Sequence, residues 1–157
     1  MWPAERGGIR VSASCAVLTT AVDVDVTHLE PLVGTPGLTL ECRDLEAEPW
    51  PYAEEAFDAI IVTNYLYRAH FPHYWRSLKS GGLFLMETFT TVNTAIWGRP
   101  RSPEHVLQPG ELLRLAPPEA RICAYEEGLN ADELGLERIV WLKPGDAEVL
   151  ALRLGAR

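Results

Sequence analysis

The sequence lacks three features that would indicate particular kinds of protein. No apolar run reaches the ~20 residues that a membrane-spanning helix needs, because Asp23 and Asp25 interrupt the stretch from Ala13 to Val26. No two cysteines form a C-x-x-C pair, so neither zinc nor redox chemistry is indicated, and no signal peptide is predicted. We therefore expect a cytoplasmic protein without a metal or membrane contact, whose three cysteines are buried, reduced thiols: Cys15, Cys42 and Cys123.

Positive charge is also scarce. The chain has 14 Lys and Arg against 22 Asp and Glu, a net charge of −8. Binding to phosphate backbones depends on Lys and Arg replacing condensed counterions, so this balance disfavours nucleic acid as a partner. A small or neutral substrate is the better expectation.

The size and hydrophobic content indicate one globular domain over residues 1–157. At 157 residues the chain is long enough for one continuous core but not for two, and its hydrophobic content is 47%. Apolar runs rich in β-formers predict strands at Val17–Val26, Leu38–Cys42, Phe57–Val62, Leu83–Met86, Arg121–Tyr125 and Glu137–Leu142. Helical spacing predicts short helices at Thr27–Glu30, Phe71–Leu78 and Pro109–Ala116.

The order of these elements predicts an α/β sheet. Phe57–Val62 is almost continuously apolar, as expected of a central parallel strand covered on both faces. The pair Gly81-Gly82 is expected to end the helix at Phe71–Leu78. The last strands, together with an apolar run at Glu148–Leu154, have loops too short for helical crossovers and could pair antiparallel. The prediction is a mostly parallel sheet with an antiparallel C-terminal edge.

Polar residues follow or end three of the predicted strands. Asp44 follows the strand at Leu38–Cys42, Asn64 follows the next, and Glu87 ends the third. Ligands of open α/β sheets bind beyond the carboxyl ends of the strands. This pattern indicates a crevice for a nucleotide-type cofactor.

These residues resemble those of a class I S-adenosylmethionine-dependent methyltransferase of the small tellurite-resistance-like type. The resemblance covers roughly residues 20 to 115, and the order and spacing of its motifs are more specific than any single one. The motifs are Ala21-Val-Asp23-Val-Asp25, Asp44 to Pro51, Phe57 to Leu66, Leu78-Lys-Ser-Gly-Gly82, Glu87-Thr-Phe89, Gly98-Arg-Pro100 and Leu107 to Leu112. It implies a Rossmann-like sheet and S-adenosylmethionine as the cofactor.

The resemblance also implies a set of cofactor-binding residues. Asp23 would accept hydrogen bonds from the ribose hydroxyls, with Asp25 as an alternative, since a carboxylate can accept from both hydroxyls at once. Asp44 and Leu45 would flank the adenine, and the methionine part would lie beside Asn64 and Tyr65. Each of these residues also has an ordinary structural interpretation as a strand or helix cap, a turn former, a loop residue or part of the core.

Candidate substrate-binding residues lie after the strand ends, and no catalytic residue is assigned. They are Tyr67, Arg68, Glu87 and Arg99. Methyl transfer needs no universal base, because holding donor and acceptor in line supplies much of the catalysis. If the acceptor must lose a proton, His70, His73, Tyr67 and Glu87 are the candidates by position, although His70 and His73 are more typical of solvated or capping residues.

The sequence departs from the family at its N-terminal end. Family members begin with a strand, a G-x-G turn and a helix, whereas the 22 residues ahead of Asp23 contain Gly7-Gly8 but no G-x-G. We therefore expect an N-terminally truncated fold with an atypical segment over residues 1–20. The gap in the sheet would be filled by Ile9–Val17 or by a second copy of the chain in a homodimer.

Two functions follow from this combination. The first is an S-adenosylmethionine-dependent methyltransferase acting on a small molecule. The alternative is an inactive methyltransferase-like protein, or a partner subunit, that no longer binds the cofactor.

Overall fold

The structure is a computed structural model that describes residues 17–145. The chain forms two compact units, which divide between Pro49 and Trp50. The prediction of one domain over residues 1–157 stays a prediction. The atypical segment predicted at residues 1–20 lies almost wholly outside the described residues, as does the apolar run at Glu148–Leu154.

The first unit is built on a parallel pair of strands. β1 (Thr19–Asp23) and β2 (Leu38–Cys42) pair in register from Thr19 with Leu38 to Asp23 with Cys42. A 3₁₀ helix at Thr27–Leu32 connects them, where a helix of one or two turns was expected. No described residue of this unit is fully buried.

The second unit contains a four-stranded sheet in the order β3-β4-β6-β5. Its strands are β3 (Phe57–Thr63), β4 (Leu78–Phe89), β5 (Arg121–Leu129) and β6 (Gly135–Leu142). β3 and β4 are parallel, whereas β6 is antiparallel to both β4 and β5. This confirms the predicted α/β class with parallel strands and an antiparallel C-terminal edge.

The described part of this unit has three short α-helices, α1 (Phe71–Ser77), α2 (Thr91–Trp97) and α3 (Glu111–Leu115), and two 3₁₀ helices at Arg68–His70 and Pro103–His105. α1 and α3 were predicted. α2 was not, because its sequence has two β-branched residues and Asn in the first turn, all weak helix formers. Its end at Gly98, in the left-handed conformation, is a common helix terminus.

The core lies on one face of the four-stranded sheet. Side chains alternate along β4, so that Phe84 and Met86 are fully buried while Leu85 is only half-buried. Phe84 stacks on Trp141 of β6, with ring centroids 4.4 Å apart. The rest of this cluster comes from β3, α1, β6 and the segments beside α3: Val62, Leu66, Phe71, Tyr74, Leu78, Leu107, Leu112 and Ile139.

Three local expectations were wrong. β3 is not covered on both faces, since Ile61 is 69% exposed. The pair Gly81-Gly82 lies inside β4 rather than at the end of α1, because the backbone already becomes extended at Leu78. Cys42 is exposed and Cys123 is half-buried, so these two thiols are not core residues; Cys15 lies outside the described residues.

No helix within residues 17–145 is long and apolar enough to cross a membrane.

Candidate functional site

Two carboxylates stand at the same end of the parallel pair in the first unit. Asp23 is the last residue of β1, and Asp44 comes two residues after the end of β2. Because β1 and β2 run parallel and in register, both carboxylates lie beyond the carboxyl edge of the pair. Neighbouring strands are ~4.8 Å apart, a separation that the hydroxyls and base of one nucleoside can span.

Each carboxylate is fixed by one oxygen only. The Asp25 amide donates to Asp23 Oδ1 (3.0 Å), and the amides of Glu46 and Ala47 donate to Asp44 Oδ1 (3.0 and 3.1 Å). These are Asx turns, which orient an aspartate through its own downstream backbone. Within the described residues, Oδ2 of both side chains accepts no hydrogen bond. Both residues are exposed, so these oxygens can accept from ligand hydroxyl or amine groups.

Asp25, the alternative ribose ligand, is more strongly committed to its own turn. Its Oδ1 accepts hydrogen bonds from both the amide and the hydroxyl of Thr27, and these bonds lower the pKa of Asp25. This geometry favours Asp23 over Asp25 as the residue that faces a ligand. Leu45, predicted beside the adenine, is half-buried in the turn after β2.

In the second unit, Asn64 follows β3 in a left-handed conformation with φ of +54°. Its amide donates to the Glu87 carbonyl at 2.9 Å, which continues the β3–β4 ladder by one step. Its side chain is exposed and makes no hydrogen bond within residues 17–145. A non-glycine residue at positive φ carries a small backbone cost, and such residues concentrate at functional sites.

Tyr65 and Tyr67 belong to an aromatic cluster around a buried histidine. The Tyr65 hydroxyl lies 3.4 Å from His70 Nδ1, and the Tyr67 ring meets the His70 ring edge to face with centroids 4.6 Å apart. Trp50 and Tyr74 contact the same histidine. His70 is therefore buried, not solvated.

His73 lies beside this cluster, with its ring stacked on Trp50 at 5.5 Å. Partial burial lowers the pKa of His73, and the positive charge of the nearby Arg76 lowers it further.

Arg68 uses its guanidinium within the protein. Nε and NH2 donate to the two carboxylate oxygens of Glu111 (2.6 and 3.1 Å), NH1 donates to the Glu104 carbonyl (2.7 Å), and NH2 also donates to the Val106 carbonyl (2.9 Å). The hydrogen bond to Glu111 raises the pKa of Arg68 and lowers that of Glu111. Arg68 thus ties the segment before α3 to the loop after β3.

The expectation that Glu87 ends its strand was wrong, because β4 continues to Phe89. Glu87 lies on the face opposite the core and forms an ion pair with Arg138 of β6. Arg138 also approaches Glu126 at 3.3 Å. Arg99 is exposed, and its backbone carbonyl accepts a hydrogen bond from Asn93 Nδ2 (2.8 Å). Within the described part of the second unit, Glu87 and Arg99 do not share an interaction.

Glu137 is a buried carboxylate that was not among the predicted site residues. It accepts hydrogen bonds from the amides of Glu111 (3.2 Å) and Leu112 (2.8 Å), and so holds the start of α3 against β6. Burial raises the pKa of Glu137. The sequence pattern that could have indicated its burial is the alternation along β6, where Glu137 shares the core face with Ile139 and Trp141. No group of residues that could hold a metal ion occurs within residues 17–145.

Comparison with solved structures shows which fold this arrangement belongs to. A methyltransferase from Listeria monocytogenes, described as putative and dependent on S-adenosylmethionine, matches with a TM-score of 0.62 and 14% identity, covering 79% of each chain. The chain has the fold of the class I S-adenosylmethionine-dependent methyltransferases. The N-methyltransferase NodS from Bradyrhizobium japonicum matches with a TM-score of 0.55 and 16% identity, over 80% of this chain and 72% of that one.

NodS has also been solved with S-adenosyl-L-homocysteine bound. The [4+2]-cyclase SpnF matches with a TM-score of 0.62 and 16% identity, over 84% of this chain and 68% of that one. No protein-family model and no curated protein matches the chain. At these identities the likeness to methyltransferases is one of fold alone. The same fold also occurs in SpnF, which is named a cyclase rather than a methyltransferase.

Proposed function

We propose that this chain binds S-adenosylmethionine and transfers its methyl group to a small molecule. The observation that carries the proposal is the pair of exposed carboxylates, Asp23 and Asp44, at the carboxyl end of β1–β2. Each keeps an oxygen without a partner among the described residues. Hydroxyl and amine groups of an adenosine are hydrogen-bond donors, so the donor set of the ligand fits these acceptors.

The roles of the residues follow from their chemistry. Asp23 accepts from the ribose hydroxyls, and Asp44 accepts from the exocyclic amine of the adenine, with Leu45 against the ring. Asn64 and Tyr65 hold the methionine part, where the exposed amide of Asn64 can bind an amino or carboxylate group. The cofactor supplies a methyl group on a sulfonium, and the protein supplies orientation and exclusion of water.

For the acceptor we propose Tyr67, Glu87 and Arg99 as contacts, with Arg68 acting by positioning. The four hydrogen bonds of Arg68 hold the loop before α3, so its loss would displace neighbouring groups. The net charge of −8 supports a small acceptor rather than a nucleic acid, and we propose the cytoplasm as the compartment.

The alternative is a methyltransferase-like protein or partner subunit that no longer binds the cofactor. The fold alone does not establish that the cofactor binds, because the similar methyltransferase structures share only 14 and 16% identity with this chain. Binding of the cofactor therefore separates the two candidates.

The test is calorimetric titration of the full chain with S-adenosyl-L-homocysteine. We expect saturable binding, weakened about 10- to 100-fold by Asp23→Asn or Asp44→Asn, because each removes a charge-assisted hydrogen bond. Asp132→Asn is the matched control, since Asp132 is an exposed aspartate in the turn between β5 and β6. It should bind like the wild type. Absence of heat and of thermal stabilisation at about millimolar ligand would favour the alternative.

Transfer itself is tested with S-adenosylmethionine carrying a labelled methyl group and a panel of small acceptors. Label that appears in an acceptor supports the methyltransferase. Cofactor binding without transfer to any acceptor of the panel would indicate a cofactor-binding protein with another activity.

A further inference from the structure

Most lysine and arginine side chains within residues 17–145 are engaged by other groups of the protein. Arg68 and Arg138, for example, bind glutamates. Among the described basic residues, only Arg99, Arg101 and Arg121 form neither a side-chain hydrogen bond nor an ion pair with another described residue. All three are exposed, so their guanidinium groups can donate to a ligand.

Arg99 and Arg101 lie in the loop after α2, at the carboxyl end of the parallel strands. α2 begins two residues after the end of β4. The end of β3 lies at the same side of the sheet, because the amide of Asn64 donates to the carbonyl of Glu87 in β4. Ligands of open α/β sheets bind beyond this end, which gives the two arginines a position where a ligand is expected.

Two side chains at the start of α2 fix the backbone of this loop. Asn93 Nδ2 donates to the Arg99 carbonyl (2.8 Å), and Thr94 Oγ1 donates to the Pro100 carbonyl (2.9 Å). Asn93 is 3% exposed, and its Oδ1 accepts from the amide of Gly135, the first residue of β6 (3.1 Å). The loop is thus tied to the sheet before any ligand binds, which lowers the entropic cost of binding by its side chains.

Exposed apolar side chains precede the two arginines in the sequence. Trp97 lies two residues before Arg99 and is 49% exposed, and its Nε1 donates to the Glu133 carbonyl (2.9 Å), which orients the ring. Val92 and Ile96, four residues apart on α2, are also exposed. Apolar side chains exposed together indicate a binding surface better than single ones do. A ligand with a negative charge and an apolar body would complement this combination.

We propose that Arg99 and Arg101 bind the acidic group of the methyl acceptor, which is a small organic anion with an apolar body. The acidic group is a carboxylate or a phosphate ester, because a guanidinium presents a planar pair of N–H donors to two oxygens of either group. Two unpaired arginines in one loop also attract an anion to a chain whose net charge is −8. This inference rests on the proposed function and adds to it a substrate class and a second arginine.

The experiment is calorimetric titration of the full chain with a panel of aromatic and aliphatic carboxylates and phosphate monoesters, with and without saturating S-adenosyl-L-homocysteine. Each anion is paired with its neutral amide or alcohol, and inorganic phosphate is the anion without an apolar body. We expect at least one organic anion to bind with a dissociation constant below about 1 mM. Its neutral counterpart should bind at least about tenfold more weakly, because it lacks the charge-assisted hydrogen bonds.

Arg99→Gln and Arg101→Gln should each weaken binding of that anion about tenfold, and Arg121→Gln is the matched control. Arg121 begins β5 opposite Leu142, the last residue of β6, whereas α2 is tied to Gly135 at the first. The control arginine therefore lies at the other end of the sheet, and its substitution should leave binding unchanged. Equal weakening by all three substitutions would show a nonspecific effect of charge and overturn the proposal.

Thr94→Val tests the positioning of the loop. It keeps the size of the side chain but removes the hydrogen bond to the Pro100 carbonyl. Binding of the anion should weaken about two- to fivefold while binding of the neutral counterpart stays the same, a difference that a merely structural role would not produce. Unchanged anion binding would refute this role of Thr94.

Failure of this inference can be distinguished from failure of the proposed function. Cofactor binding without binding of any panel anion would overturn the inference alone, whereas anion binding without cofactor binding would refute the proposed function and leave the anion site. If no anion binds and both Arg99→Gln and Arg101→Gln lower the unfolding temperature, acidic side chains outside residues 17–145 pair with the arginines. That result would also overturn the inference.

Discussion

The two parallel strand pairs of this protein differ in how they are stabilised. β3–β4 rests on a core whose central side chains, Phe84 and Trp141, are fully buried, whereas β1–β2 has no fully buried residue among those described. Among its described residues, the first unit is held by its backbone ladder and by local turns such as those of Asp23 and Asp44. Stability is concentrated in the second unit, and the carboxylates proposed to bind adenosine lie in the unit with less burial.

Loss of one ring of the central aromatic pair should give the largest difference between the units. Trp141→Ala is expected to lower the free energy of unfolding by about 3–5 kcal/mol, because it leaves a cavity beneath Phe84. Val22→Ala in β1, where the side chain is half-buried, should cost no more than about 1 kcal/mol. Urea unfolding monitored by circular dichroism measures both. Equal costs would show that the first unit has a comparable core.

Trp141→Phe refines this test. Trp141 Nε1 is buried and has no hydrogen-bond partner among residues 17–145, so phenylalanine removes volume and also an unsatisfied donor. We expect a cost well below that of Trp141→Ala, since the donor contributes about 1–3 kcal/mol of desolvation penalty. A cost as large as that of alanine would indicate that packing alone determines this site.

Loss of the hydrogen bonds of Arg68 should give the next largest effect on stability. Arg68→Ala is expected to lower the free energy of unfolding by about 2 kcal/mol, because it removes hydrogen bonds to Glu111 and to two carbonyl groups. Arg68→Lys keeps the charge but not the planar fork, so it should restore only part of the loss. If either variant weakens acceptor binding without a change in stability, Arg68 contacts substrate directly.

The interaction of Arg68 with Glu111 should make the stability of the fold depend on pH. The pKa of Glu111 is lowered in the folded state, first by its hydrogen bond with Arg68. Its contribution to stability is therefore complete above the ordinary pKa of 4.5 and is lost as the pH falls through the lower, folded-state value. The stability difference between wild type and Arg68→Ala should shrink across this acidic window. A difference that does not change with pH would exclude Glu111 as the main partner.

The smallest expected effect concerns the thiols of the two units. In a Cys15→Ser background, Cys42 of the first unit should react with a thiol reagent several-fold faster than Cys123 of the second, because it is more exposed. Cys42→Ser and Cys123→Ser variants assign the two phases. Equal rates would mean that exposure does not differ between these strands in solution.

Much of the fold could be predicted from the sequence, because most segments adopt in the structure the helix or strand that their local pattern favours. Leu38–Cys42 forms a strand with the predicted bounds, and the β5–β6 hairpin follows from two β-forming runs joined by a short loop. The position of Asp44 beyond the end of a strand followed from the same runs, whereas the strand predicted at Val17–Val26 in fact ends at Asp23. The α2 helix was not predicted, because its first turn is made of weak helix formers.

The sequence by itself determined the α/β class, the order of the strands and the positions of Asp44 and Asn64 beyond strand ends, since hydrophobic periodicity and turn residues are local properties. Only the tertiary structure decided that β3 is the outer strand of the sheet formed within residues 17–145, that Arg68 is bound to Glu111, and that Glu137 is buried under α3. These depend on which distant segments meet. A periodic pattern shows that a side chain belongs to one face, but not what covers that face.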